Sequence, residues 1–381
     1  MMNSPAVVIG GDLNPLGIVR SLAAGGVPTV VLATDATEPA MRSRYGRKVL
    51  VPGLEGTELI EALLRIAQSF SGRAVLFLTE EKTVRTVSEH RVALEARYFI
   101  RLPPHELLMR LMHKQGFQEF AEAYHAPVPH TLQLRSPYDL GQATTMRYPC
   151  VLKPAYKHYG YGAKFKKAYV VETVNEVERL YKEIAPTLAD LVLQEWIEGG
   201  DHDIYFCLQY VGEKGVTIAS FTGRKIRAWP PKIGGTASCT AAWDMAAELT
   251  AATARFFSEV GFTGMGSMEY KRDPRDGRFY MVEPTVARTD FQEEVATLNG
   301  INLPLVAYRH ELGLEPPRQH KKTPARIWRE PVTDRWSLRE QGPAPAGVAA
   351  GAQVCDAYFR LDDPLPALDL IGRRLKSRLF G

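Results

Sequence analysis

The period of apolar positions changes along this chain, and the changes mark its parts. Ala6 to Ile9 is an unbroken apolar run that stops at Gly10-Gly11, and Asn14-Pro15 then read as a helix N-cap and a first-turn proline. Val27 to Ala33 is a second strand pattern. Leu59, Leu63, Ile66 and Phe70 recur at helical spacing, and Ala74 to Leu78 is a third strand. Strands alternating with helices over residues 1–104 predict an α/β unit with a parallel sheet.

Pro103-Pro104 marks a boundary, and a helix with Phe117, Phe120, Ala121 and Tyr124 on one face runs from there to a stop at Pro127 and Pro129. From Tyr148 the texture is strand, glycine loop, strand, helix (Val174 to Ile184) and strand (LVLQEW), which predicts an α+β module. Residues 204–285 read as antiparallel strands with one helix inserted near Asp244 to Val260. The last fifty residues are rich in Pro, Ala and Gly and finish on a basic helix, Pro366 to Leu379. The expected segments are 1–104, 105–192, 193–325 and 326–381.

Composition narrows the classes. At about 150 residues per domain, 381 residues supply two to three domains, and 45% hydrophobic with 24% charged residues is ordinary for a globular chain. A net charge of +4 is far from the basic stripe of a dedicated nucleic-acid binder. Cys150, Cys207, Cys239 and Cys355 are widely spaced, without metal-ligand spacing, and read as reduced thiols. The first apolar run lacks a basic flank and stops by Asp12, and Ala344 to Cys355 is short and broken by glycine, so neither a signal peptide nor a membrane span is expected. A cytoplasmic location is the expectation that follows.

Gly10, Gly11 and Gly17 do not meet the dinucleotide fingerprint, and the absence of any Gly-Lys dipeptide excludes a P-loop. The first glycine turn is either structural or a substrate-facing loop at a strand end. Lys153 ends an apolar strand and is followed by Gly160, Gly162, Lys164, Lys166 and Lys167. Glycine amides can approach oxyanions and ammonium groups offset their charge, so the segment suits phosphate; a solvated basic hairpin explains the later lysines but not Lys153. In SMEYKRDPRDGRFYMVEP, a three-residue loop Arg275-Asp276-Gly277 sets residue 274 opposite 278 and Glu269 opposite Glu283. Opposed carboxylates repel and ask for a cation, for which Mg²⁺ is suited; two solvated glutamates is the plainer alternative.

Together these residues resemble the ATP-grasp carboxylate ligases, over nearly the whole chain, and within them the carboxylate-amine ligases akin to D-aspartate ligases, through FTGRKIRAWPPKIGGTAS and VEPTVARTDFQ. The resemblance implies an ATP-grasp fold behind an N-terminal Rossmann-like domain. It implies that Lys114 and Lys153 contact ATP phosphates, that Gly160 and Gly162 lie in a loop closing over them, and that Glu195 with the backbone of Trp196 and Ile197 forms the adenine hinge. Asp203 is implied to hold the ribose, and Glu269 and Glu283 the Mg²⁺. The sequence EPTVAR departs from the E-x-N-x-R ending of that group, with Thr285 at the asparagine position and Arg288 one place late.

The activity implied is ATP- and Mg²⁺-dependent joining of a carboxylate to an amine through an acyl phosphate, with Lys153, Arg288 and Arg227 as catalytic cations. Arg224 and Lys225 are further candidates for the substrate carboxylate or the transferring phosphoryl group, with an exposed basic strand as the alternative, and Glu80 and Glu81 could meet the amine, though two solvated glutamates is the favoured reading. Small-molecule acid and amine are the expected partners, with a homodimer left open and neither nucleic acid nor membrane. Two rivals stand: an enzyme of the same fold with another acceptor, and a nucleotide-binding protein without turnover.

Overall fold

The computed structural model describes residues 4–155, 159–166, 168–232, 234–345, 347–348 and 351–380. The chain divides into two units, one of Met1–Met112, Gly200–Glu269 and Pro284–Gly381, the other of His113–Gly199 and Tyr270–Glu283. The expected segments 1–104 and 326–381 fall in the first unit, as does most of 193–325.

In the first unit, β1 (Ala6–Ile9), α1 (Leu13–Ala24), β2 (Thr29–Ala33), α2 (Pro39–Arg42), β3 (Arg47–Leu50), α3 (Gly56–Ala67), β4 (Ala74–Phe77), α4 (Glu81–Glu89), α5 (Arg91–Glu95), β5 (Tyr98–Phe99) and α6 (His105–Met112) follow in order. The strands form a parallel sheet in the order β3-β2-β1-β4-β5, as expected of a Rossmann-like sheet. Its β1 and β2 are wholly buried, which is why they read as unbroken apolar runs. Asn14 is not the N-cap of α1. The helix starts two residues earlier, behind Asp12, and the Asn14 side chain is buried.

The second unit holds α7 (Lys114–Ala123), β6 (Thr131–Leu134), β7 (Cys150–Pro154), the helical turn α8 (Tyr159–Gly162), β8 (Tyr169–Val171), α9 (Val174–Ile184) and β9 (Leu191–Glu195). Its antiparallel sheet has the order β6-β9-β7-β8. Thr173 caps α9 by accepting from the Glu176 amide, and Val177, Leu180, Tyr181 and Ile184 form its buried stripe. Within the glycine-rich segment, residues 159–162 are helical rather than loop, and Tyr161 is buried with its hydroxyl donating to Lys166 O at 2.7 Å. His158 and Lys167 lie outside the described residues.

The chain then forms β10 (Ile204–Val211), β11 (Thr217–Trp229), β12 (Gly235–Ala241), α10 (Ala246–Glu259), β13 (Gly264–Arg272), β14 (Phe279–Val286), α11 (Gln292–Leu298), α12 (Leu303–Glu311), β15 (Ile327–Arg329), α13 (Pro331–Gln341), β16 (Val354–Asp356) and α14 (Leu365–Phe380). Seven strands make one sheet, β14-β13-β10-β11-β12-β15-β16, so part of the C-terminal extension is sheet. Cys150, Cys207 and Cys239 are buried and no cysteine is paired among the described residues.

One buried guanidinium ties the first unit together. Arg20 on α1 donates to Asp363 Oδ2 (2.9 Å), Glu294 Oε1 (3.5 Å) and the carbonyls of Ala357 (2.7 Å) and Tyr358 (2.8 Å). Asp363 also accepts from the Ser43 hydroxyl and the Arg44 amide, both at 2.8 Å, and Glu294 from Arg360 and the Trp328 indole. Beside Glu294, Glu293 is 1% exposed and its Oε1 has no hydrogen-bond partner among the described residues; burial, helped by Asp290, pushes its carboxyl up to about 8.

Arg20→Met leaves Asp363 buried without its cation and is expected to destabilise the protein by about 3 kcal/mol or more, read as a lowered midpoint in urea unfolding; an unchanged midpoint contradicts the reading. Glu293 favours the folded state in its neutral form. Its contribution is therefore full below about pH 4.5 and is lost as pH rises through about 8. Glu293→Gln is expected to gain Tm relative to the parent at pH 9 compared with pH 5, and parallel Tm shifts at the two pH values would refute it.

Candidate functional site

In the second unit, β7 and β9 pair with Lys153 opposite Val192, so strand alternation sends Lys153 to the same face as Gln194. Lys153 Nζ donates to Gln194 Oε1 at 2.9 Å, and Gln194 Nε2 donates to Thr131 Oγ1 at 2.9 Å on β6. The relay crosses three strands and holds the ammonium at the strand end that the sequence singled out.

At the end of β9, the Glu195 carboxylate accepts from the Arg147 amide at 3.3 Å and faces the Arg147 guanidinium at 3.8 Å; that guanidinium also meets fully buried Asp273 at 3.1 Å. The Trp196 amide donates to Pro149 O at 2.9 Å, so a hinge role of that residue falls to its carbonyl. Ile197 is buried, Lys114 is exposed at the first position of α7, and Gly160 and Gly162 are exposed in α8. A Cβ at Gly162 would meet nothing within 4 Å, so packing does not demand that glycine.

The hairpin tip corrects one expectation. Gly277 has φ +72°, as a left-handed loop position requires. However, Asp273 O accepts from the Gly277 amide and Asp273 N donates to Arg278 O, both at 2.8 Å, which makes the loop four residues long, Pro274 to Gly277. Asp273 therefore faces Arg278. Carried down a regular ladder, that register sets Glu269 opposite Val282, and the opposition of Glu269 and Glu283 does not follow from the loop. The cause is Asp273 itself, whose carboxylate accepts from the Arg275 amide and guanidinium and so closes a wider turn than glycine alone. Val282 and Glu283 are both exposed, a further break in alternation along β14.

In the first unit, the basic run on β11 splits. Lys225 pairs with Cys239 of β12, and after a shift Arg227 pairs with Ser238, so an extra residue, Ile226, is absorbed by a bulge. Neighbouring positions of β12 face opposite ways, which sends Lys225 and Arg227 to opposite sides of the sheet. Lys225, with its side chain 5% exposed, lies 2.7 Å from Glu269 Oε2. Burial disfavours its charge, but Glu269, Asp290 and Asp201 outweigh that and raise its pKa, so it is a buried ammonium at neutral pH. Arg227 instead forms a two-bonded pair with Asp334 of α13, at 2.7 and 3.0 Å, and Ser238 joins at 2.5 Å. Arg227, expected as a catalytic cation, is held in this pair, and Arg224 donates to His202 O.

Asp203 accepts from the Gly200 amide at 2.8 Å. Arg288 is 3.5 Å from Glu81 Oε1, while Glu80 pairs with Lys82 at 3.1 Å. The clamp beside Arg288 was invisible in the sequence: Asn14 Nδ2 donates to Thr289 O (2.9 Å), Thr289 Oγ1 donates to Asn14 Oδ1 (2.8 Å), and the Thr289 amide donates to Leu78 O (3.1 Å). This pins the segment after β14 to the carboxyl end of the parallel sheet. Ala287, just before Arg288, has φ +60° and is buried, a left-handed position in which the late arginine is turned. No group of three or more His, Cys, Asp or Glu is arranged to hold a metal among the described residues.

No protein-family model matches the chain. It is 26% identical over 316 residues to a D-aspartate ligase of Enterococcus faecium (strain Aus0004), covering 78% of this chain and 74% of that protein. Among solved structures it is similar to phosphoribosylglycinamide synthetase of Anaerococcus prevotii (TM-score 0.64, 12% identity, 85% of this chain and 80% of that one). The ADP complex of an N5-carboxyaminoimidazole ribonucleotide synthetase matches with TM-score 0.62 and 14% identity over 86% and 81%. Biotin carboxylase of Campylobacter jejuni matches with TM-score 0.60 and 15% identity over 84% and 73%. The chain has the ATP-grasp fold that its motifs implied.

Proposed function

We propose that the protein is an ADP-forming ligase that joins a carboxylate, an amino acid of the aspartate kind, to an amine. The observation that carries this is the likeness to D-aspartate ligase, which runs through 316 residues, on a fold whose solved examples include an ADP complex. A carboxylate oxygen attacks the γ-phosphorus of ATP and ADP leaves; the amine then attacks the acyl carbon, phosphate leaves, and the amide forms.

The residues supply charge at fixed points. Lys153, oriented through Gln194 and Thr131, and Lys114 meet the phosphates; Glu195, the Trp196 carbonyl and Ile197 line the adenine; Asp203 takes the ribose. Lys225, already desolvated and charged, offsets negative charge on the transferring phosphoryl group at little reorganisation cost. Arg288, clamped through Thr289, serves the acyl oxygen, and Arg227 acts as a positioning residue through Asp334. Oxygen donors suit a hard cation: Glu269, which keeps one oxygen beyond its bond to Lys225, Glu283 and the Thr285 hydroxyl would hold Mg²⁺. When bound, the ion offsets phosphate charge. Closure over Gly160 and Gly162 keeps water from the acyl phosphate.

The test is ADP release from ATP with amino acids and amines supplied singly and in pairs, followed by product mass. Release that needs both partners is expected; release with neither, or none with any pair, opposes the assignment. In the active pair, Lys153→Ala is expected to lower the rate at least about tenfold, the order of one charge-assisted phosphate contact, with an unchanged circular dichroism spectrum. Glu283→Gln removes one charge at nearly constant shape, so the Mg²⁺ concentration for half-maximal rate is expected to rise; a titration identical to the parent's takes Glu283 out of the metal site.

A further inference from the structure

No helix is long and apolar enough to cross a membrane among the described residues, yet α14 leaves an apolar face uncovered. Leu365, Leu368, Ile371 and Leu375 are each 49% to 57% exposed. At 100° per residue Leu368, Ile371 and Leu375 fall within about a sixth of the helix circumference and Leu365 adjoins them, which makes one stripe. The other side holds the helix to the fold: Ala367 is buried, and Asp369 pairs with Arg42 of α2 at 3.2 Å. Ahead of the helix, Phe359 is 46% and Leu361 90% exposed.

Charge says what covers it. Residues 365–380 carry Arg373, Arg374, Lys376 and Arg378 against one acid, Asp369, which pairs with Arg42 and Arg373. A second copy of this chain would set two helices of the same net positive charge against each other. An anionic bilayer surface offers acyl chains to the stripe and headgroup charge to the basic residues. We propose that α14 lies on the surface of an anionic lipid bilayer and docks the ligase there peripherally. About 24 Å of helix, at 1.5 Å per residue, is enough to lie in the interface.

The experiment is co-sedimentation of the full chain with vesicles of phosphatidylcholine, alone or mixed with phosphatidylglycerol, at low and high salt. Binding to the mixed vesicles is expected to exceed binding to phosphatidylcholine by about tenfold or more and to weaken with salt. Leu368→Glu with Ile371→Glu is expected to lower binding by about the same factor while ADP release in solution stays at the parent rate. Equal binding to both vesicle types, undiminished binding of the double variant, or a dimer in sedimentation velocity that the double variant abolishes would each overturn the proposal.

Discussion

The first unit depends on the burial of one guanidinium. Arg20 sits on α1, 274 positions from Glu294 and 343 from Asp363, and all three are buried. A guanidinium in that setting is tolerable only where carboxylates and carbonyls meet most of its donors. The carbonyls of Ala357 and Tyr358 and the side chains of Asp363 and Glu294 do so, which draws the last segment of the chain against the first helix. Gly17, one turn before Arg20, has no room for a Cβ because Glu294 lies 2.8 Å from where it would be. The C-terminal extension is therefore part of the wall that fixes α1 and α11, and through Trp328, stacked on Phe291, part of the same core.

That rigid frame matters for chemistry because the candidate cations are held by strands and clamps. Lys225 is buried with its counter-ion in place, a costly arrangement unless the charge is used or well paired. The bulge at Ile226 is what gives Lys225 to one face and Arg227 to the other, where Arg227 secures α13. Asn14 and Thr289 together tie the segment ahead of α11 to the end of β4, next to Arg288. Glu293, buried and without a partner at Oε1 among the described residues, is the counterweight, a buried acid whose charged form the fold disfavours.

Local chemistry wrote much of this into the sequence. Apolar runs become parallel strands covered on both faces, wholly buried in β1 and β2 and nearly so in β4, so these were legible from hydrophobicity alone. The helix expected around Val174 to Ile184 is present, with Thr173 as its cap and an apolar stripe buried. Lys153 stood out because an ammonium at the end of an apolar strand is a poor packing choice, and the strand pairing gives it Gln194 as its partner. The short strand Arg47–Leu50 escaped notice, being partly exposed and polar at its start.

What only the tertiary structure decided are the pairings between distant residues and the one-residue shifts. A shift of one residue in a strand reverses a side chain's face, and no periodicity reports it. The bulge that parts Lys225 from Arg227 and the four-residue turn that Asp273 closes both arise this way. Asp334 for Arg227, Glu269 for Lys225 and Asp363 for Arg20 are likewise chosen by long-range packing, because a charged residue in sequence shows its chemistry but not its partner. The sequence by itself determined which groups are charged, which strands are buried and which family the motifs resemble; the fold determined how those charges are paired, because pairing is set by long-range packing.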